Sequence, residues 1–147
     1  MVHKHDGAKQ GISSIGKSMH YSVGAIIQKN KKFLLIDRAA PPYGFAGLGG
    51  HIDEQESPEQ AIKREVQEES NLKVKNCTLL YEEEVSNNKC VEGIDVHHWY
   101  VFACTAKGKT RRDEHETKSM GWYSKEDIKK LRLEPVWEHW FRKLKVI

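Results

Sequence analysis

The stretch REVQEES, residues 64–70, carries acids at positions 65, 68 and 69. On a helix these positions are i, i+3 and i+4, so Glu65, Glu68 and Glu69 share one stripe of its surface. Like charges so placed repel, at a cost of only some tenths of a kcal/mol per pair on an exposed helix. Full solvation, neighbouring Lys and Arg side chains, or a bound cation would each make the stripe tenable. From Gly50 to Leu72 there are seven acids and two bases, a net −5 in a chain of +3, which leaves +8 for the remainder. Charge alone leaves a solvated acidic face and a cation site equally open.

The flanking residues predict a helix for this stripe and a sheet beneath it. Ser57 suits an N-cap, Pro58 the first helical position, and Gln60 completes a Ser-x-x-Gln capping box, which predicts a helix from Ser57 to about Ser70. Ile62 and Val66 fall on one side of it and can seat it on a sheet, with the three acids on the adjoining arc. Asn71 then tolerates the left-handed conformation that a helix end favours. Upstream, YSVGAII and KFLLID read as strands joined at the polar break of residues 28–31, a hairpin. RAAPPYGFAGLGG follows as a loop. Downstream, LKVKNCTLLYEEEV reads as one or two strands. DVHHWYVFACTA is the strongest strand, with Val96, His98, Tyr100, Phe102 and Cys104 on one face and His97, Trp99, Val101 and Ala103 on the other. It is expected to be central and covered on both sides. GWYS adds a short strand, SKEDIKKLRL starts a helix capped by Ser124, and EPVWEHWFRKLKVI has apolar positions at helical spacing. The order predicts an α/β/α sandwich, a mixed β-sheet between helices.

A chain of 147 residues, 38% hydrophobic and 31% charged, supports one domain with a real core. Residues 1–19 are expected to form a flexible tail and residues 20–147 a single domain, with order beginning near Tyr21. His3 and His5 are read as part of that loose terminus rather than as metal ligands. A net charge of +3 and a pI near 8.7 permit phosphate-bearing ligands and give no reason to invoke nucleic acid. Cys77, Cys90 and Cys104 are odd in number, far apart and free of any C-x-x-C pair, so neither a disulfide framework nor a zinc knuckle is indicated. With no apolar run of membrane-spanning length and no secretion-signal core in the first residues, a cytoplasmic protein without a membrane partner is expected. The oligomeric state is open, a homodimer included.

The stretch GHIDEQESPEQAIKREVQEESNL, Gly50 to Leu72, resembles a Nudix box, G-x5-E-x7-R-E-U-x-E-E-x-G-U with U aliphatic. Gly50, Glu56, Arg64, Glu65, Val66, Glu68, Glu69 and Leu72 fall in register, and Asn71 replaces the second glycine. The likeness extends to KKFLLIDRAAPPYGFAGLGGHID, where Leu48 stands in place of the usual proline, and to HETKSMGWYSKEDI, so it covers about Tyr21 to Lys129.

The chemistry of that family explains the residue types. Breaking a diphosphate linkage means attacking phosphorus through negative oxygens, a task for divalent cations that neutralise charge and lower the pKa of an attacking water. Mg2+, with Mn2+ as a substitute, prefers such oxygen ligands. The resemblance implies Glu68 and Glu69 as direct ligands, Glu65 as ligand or base, and the Gly50 carbonyl beside the same ion. It implies that Arg64 pairs with an acid, Glu56 being the candidate, to join loop and helix; an ordinary surface ion pair is the alternative. The base comes either from the box, as Glu65, or from a later loop, where Glu116 ranks before Glu114. Arg111 and Arg112 either meet phosphate or balance Asp113 and Glu114. His97 and His98 are expected to be packed and hydrogen-bonded rather than metal-bound. The PPYGF segment resembles that of Nudix enzymes acting on ADP-ribose and nucleotide sugars, which makes Tyr43, Phe45 and Arg38 the candidate substrate contacts, although the two aromatics would equally plug the sheet. The expected substrate is a small nucleotide derivative, a nucleoside diphosphate linked to another moiety. Sanitation of oxidised nucleoside triphosphates is the second enzymatic reading. A non-catalytic nucleotide or RNA-end sensor is the third, and the retained carboxylates argue against it.

Overall fold

The computed structural model describes residues 7–90 and 92–147, and there backbone pairing starts well before Tyr21. Ala8 bridges Asp53, and Lys9 donates its N–H to the Ile52 carbonyl at 2.7 Å. Strand β1 (Gln10–Ile12) then pairs antiparallel with β2 (Ser18–Lys29), Gln10 facing His20. The expected tail is therefore, from Ala8 onward, an edge of the sheet. Its polar sequence misleads because an edge strand is held by main-chain hydrogen bonds and needs no buried side chains of its own. His3 and His5 lie outside the described residues.

The hairpin forms as expected. β2 and β3 (Lys32–Arg38) meet with Lys29 opposite Lys32. Asn30 and Lys31 take φ of 52° and 63°, the double left-handed turn whose twist suits paired strands. β4 (Phe45–Ala46) adds to β3, and β5 (Leu48–His51) runs antiparallel to β2, with Gly50 opposite Val23 and His51 opposite Ser22. After α1 (Pro58–Ser70), β6 (Lys73–Val85) is one strand, bulged twice against β7 (Val96–Lys107). β7 runs parallel to β2, whereas the other strand pairs are antiparallel, so the sheet is mixed. The strand order β4-β3-β2-β7-β6 puts β7 in the interior, as its two apolar faces require. β8 (Thr117–Ser124) returns to pair with β3.

The helices dock on this sheet to give the expected α/β sandwich. At the start of α1 the Gln60 N–H donates to the Ser57 hydroxyl at 3.1 Å, and the Ser57 N–H donates to the Gln60 side chain at 2.9 Å. A cap of this kind contributes about 1 kcal/mol. Ala61, Ile62 and Val66 are wholly buried where α1 packs on β2, β5 and β6. Helix α2 (Lys125–Ile128) is a single turn behind a Ser124/Asp127 capping box. It stops early because the following chain is drawn into the sheet: the Phe45 N–H donates to Arg132 and the Glu134 N–H donates to Phe45, both at 2.9 Å. Helix α3 (Pro135–Lys143) buries Trp137, Trp140 and Phe141, with Trp140 stacked on Tyr81 and Phe141 edge-on to Phe33.

Asn71 ends α1 at φ 67°, its N–H bonded to Gln67 and its side-chain amide donating to the Lys109 carbonyl at 3.0 Å. Asn71→Gly relaxes the backbone and loses that side-chain bond, two opposed effects of similar size. Chemical denaturation should find Asn71→Gly within about 1 kcal/mol of wild type, with turnover unchanged, and Asn71→Val clearly less stable. Collapse of activity in Asn71→Gly would instead show that the amide acts in the site.

Candidate metal and substrate site

The β5 backbone and the α1 carboxylates are in contact because β5 is glycine there. The Gly49 N–H donates to Glu69 Oε1 at 2.7 Å, and a Cβ added to Gly50 would lie 2.5 Å from the Glu65 carboxyl carbon. No side chain larger than hydrogen fits at Gly50 without displacing Glu65.

Arg64 holds the loop to the helix. Its Nε and Nη2 grip both Glu56 oxygens at 2.6 and 2.9 Å, and its Nη1 donates to Glu65 at 2.7 Å and Glu68 at 3.1 Å. Nη2 also donates to the His51 carbonyl at 2.9 Å, and Glu56 accepts the Asp53 N–H at 2.9 Å. The expected Arg64–Glu56 pair is thus part of a network. With side chains only 15% and 17% exposed, it is no ordinary surface ion pair.

Glu65 and Glu69 are buried, and Glu68 is the most exposed of the three. Burial pushes the Glu65 carboxyl up to about 8, against the pull of Arg64 and with the push of Glu68 and Glu116. Burial, then Glu65, raises Glu69 well above the ordinary carboxylate range, with the Gly49 N–H opposing. Two buried acids raised by burial and by neighbouring carboxylates are the arrangement that a cation relieves, and an all-oxygen donor set fits a hard divalent ion. Glu68, Glu69 and Glu65, with the Gly50 carbonyl, would hold it.

Gly50, Glu65 and Glu69 line a cavity of about 420 Å³ together with Arg38 and Glu116. Glu116 sits just before β8, its carbonyl accepting the Ala39 N–H at 3.0 Å. Glu114, Arg111 and Arg112 do not border this cavity. Arg112 instead braces its own loop through Nη1 to the Thr117 carbonyl at 2.5 Å. Arg38 faces the cavity while its Nε donates to the Pro42 carbonyl at 2.7 Å. Tyr43 and Phe45 stand off it. Tyr43 is exposed beneath Lys118, and Phe45 meets Tyr123 edge-on at 5.7 Å. His98 is hydrogen-bonded to Glu82 at 2.8 Å, as expected. His97 is buried as expected, yet neither of its ring nitrogens makes a well-formed hydrogen bond among the described residues, only the Asn88 main chain acting on it.

Sequence reasoning missed Asn88, Trp99, Trp137 and Glu134, which complete the cavity wall. Glu134 stands at the N-cap of α3, just before Pro135, but its side chain makes no capping bond. Burial raises its carboxyl to about 7, with Arg38 opposing.

A family model described as the NUDIX domain matches residues 18–144. The chain belongs to the NUDIX family. Among relatives, an 8-oxo-dGTP diphosphatase of Proteus vulgaris is 37% identical over 67 residues, 44% of this chain and 60% of that protein. The match therefore spans less than two thirds of that relative's length. A MutT NUDIX hydrolase of Burkholderia pseudomallei has a similar structure at TM-score 0.62 and 26% identity, over 74% of this chain and 85% of that one. The NUDIX domain of Shewanella oneidensis NrtR, solved with ADP ribose, shares the fold at TM-score 0.68 and 20% identity, over 85% of each chain. Among the described residues of this NUDIX chain, no helix is long and apolar enough to cross a membrane.

The raised Glu65 gives a signed pH dependence. A carboxyl that ionises near 4.3 when unfolded and near 8 when folded stabilises the metal-free fold fully at low pH, and that contribution is lost as pH climbs through 8. Without metal, the melting temperature of wild type relative to Glu65→Gln should fall between pH 5 and 8.5, and added Mg2+ should offset the fall. A pH-independent difference would show that Glu65 is an ordinary carboxylate.

Proposed function

We propose that the protein is a Mg2+-dependent nucleotide pyrophosphohydrolase. The observation that carries this reading is the Glu65–Glu69 pair, buried with Glu68 beside the Arg64 fork on the wall of a ligand-sized cavity. Ligand cavities commonly run from about 300 to 1,000 Å³. When bound, the divalent cation neutralises the phosphate oxygens and makes water a better nucleophile. The chain's own groups do the rest. Arg64 fixes the helix carboxylates against β5, and Arg38 offers positive charge to the phosphates. Glu116 accepts the proton of the attacking water: it faces the cavity from an exposed loop across from the helix carboxylates.

For the substrate we favour a purine nucleoside triphosphate with an oxidised base, cleaved to the monophosphate and pyrophosphate. Trp99 and Trp137 offer aromatic surface in the cavity, and Glu134, poised near neutrality, can donate as well as accept at a base edge. The Proteus vulgaris relative acts in this class by its description. ADP-ribose is the second reading, supported by Pro42 of the PPYGF segment and by Arg38 and Ala40 just before it, all on the cavity wall. Its expected aromatic contacts, Tyr43 and Phe45, lie elsewhere. Release of monophosphate with Mg2+ from a panel of 8-oxo-dGTP, dGTP, ADP-ribose and a nucleotide sugar separates these readings. We expect the highest kcat/KM on 8-oxo-dGTP. Preference for ADP-ribose would reverse the order, and no cleavage of any would leave a nucleotide-binding sensor.

The base is tested at saturating metal. Glu116→Gln should lower turnover by about two to four orders of magnitude while the Mg2+-induced rise in melting temperature persists. Near-wild-type turnover in Glu116→Gln, with a large loss in Glu65→Gln, would transfer the role to Glu65.

A further inference from the structure

Beside the carboxylates, His51, Cys90 and His97 line the same cavity and, with His20, form a cluster of different chemistry. The sheet register assembles it. His20 on β2 and His97 on β7 are direct neighbours in the parallel pair, and His51 lies on β5 at the other side of β2, opposite Ser22. Cys90 comes from the connection between β6 and β7. One nitrogen from each histidine and the Cys90 sulfur all lie within 4.8 Å of one another. The His51 and His97 rings are stacked at 5.5 Å, and His20 meets His51 edge-on at 4.7 Å.

These groups are too polar and too poorly partnered to be mere packing. His20 is wholly buried and His97 is 2% exposed, yet neither ring nitrogen of His97 makes a well-formed hydrogen bond among the described residues, only the Asn88 main chain acting on it, and Nε2 of His20 reaches no nearer than 3.6 Å to the Glu92 carboxylate. Buried ring nitrogens in folded proteins are almost always satisfied, and exceptions point to an ion or a water. Three histidines this close cannot satisfy one another in full.

We infer that His20, His51, His97 and Cys90 form a tetrahedral binding site for a borderline transition-metal ion of the Zn2+ type, distinct from the carboxylate site. Three imidazoles and a thiolate match the ligand types and number that Zn2+ takes, whereas the oxygen-only carboxylate set suits Mg2+. Zn–N and Zn–S bonds of about 2.0–2.3 Å require the donors to draw closer than they stand. Cys90 lies on a connection rather than a strand and can supply that movement. The surroundings favour one tautomer of His20. Its Nδ1 faces the Cys90 sulfur at 3.9 Å, and its Nε2 lies 3.6 Å from the Glu92 carboxylate. A ligating histidine whose second N–H points at a carboxylate is the usual supporting arrangement. Binding displaces the Cys90 thiol proton to solvent and involves no oxidation or reduction. The ion ties the β6–β7 connection, which also holds Trp99 through Asn88 at 2.9 Å, to the wall of the cavity.

Two measurements on the untagged full chain test the site. Elemental analysis of protein purified without chelator should find about one zinc per chain, and excess Mg2+ should not remove it. Co2+ added to metal-free protein should give the intense visible bands of tetrahedral cobalt and a sulfur-to-cobalt charge-transfer band in the near ultraviolet. Cys90→Ser, a change of one atom, should lose the charge-transfer band, and His97→Gln should lose the tetrahedral spectrum. Glu68→Gln with Glu69→Gln should keep both, which separates this site from the proposed hydrolytic one. Absence of the charge-transfer band in wild type overturns the proposal. So does a spectrum unchanged by Cys90→Ser or abolished by the double carboxylate variant. Should His97→Gln fail to fold, the Cys90→Ser spectrum decides alone.

Discussion

The Arg64 guanidinium is the joint on which the site depends. Its planar fork reaches in three directions at once, to Glu56 in the loop, to Glu65 and Glu68 on the helix, and to the main chain of His51 on β5. A lysine carries the same charge but is a single point donor and cannot span those positions. The loop, the helix and the strand are thereby fixed relative to one another before any ligand arrives. That rigidity matters because the neighbouring carboxylates sit where water is scarce, and acids left mobile there would turn away from one another.

The sheet supplies the second constraint. β2 is shared by β1, β5, β7 and β3, so residues from distant parts of the chain meet along it. The glycines of β5 let the helix approach on one side, and the aromatic residues of β7 and α3 close the cavity on another. The acidic side chains of helix α1 and the nitrogen and sulfur donors of the strands and the β6–β7 connection end up on one wall, meeting at β5, where Gly50 and His51 are adjacent.

What could be read beforehand was local. The capping box at Ser57, the left-handed Asn71 and the hairpin at Asn30 and Lys31 are short-range devices, and each is where the residues imply. The family resemblance, carried by fixed spacing within one helix, was equally accessible. The remainder depended on register. Nothing adjacent to Glu134 reveals that it would be buried opposite Arg38, and nothing near His20 reveals His97 beside it. The polarity of residues 8–17 hid β1, because main-chain pairing leaves no hydrophobic trace. Phe45 and Tyr43 resembled ligand contacts by type, but their positions followed the bridge from Phe45 to Leu133 and not the cavity.

The parallel pairing of β2 with β7 has a consequence for how the molecule comes into being. Met19 faces Val96 and Ile27 faces Cys104, so the partners are separated by some seventy-seven residues of chain throughout. Closing so long a loop costs entropy before any contact repays it, and topologies dominated by such pairings fold slowly. The β2–β3 hairpin and helix α1, whose contacts are local, can form earlier. The imidazoles of His20 and His97 become neighbours only when the distant strands zip together. The carboxylates of α1 are thus brought together by spacing along one helix, whereas the histidine cluster exists only once distant strands are paired, so the two classes of donor depend on the chain at very different ranges.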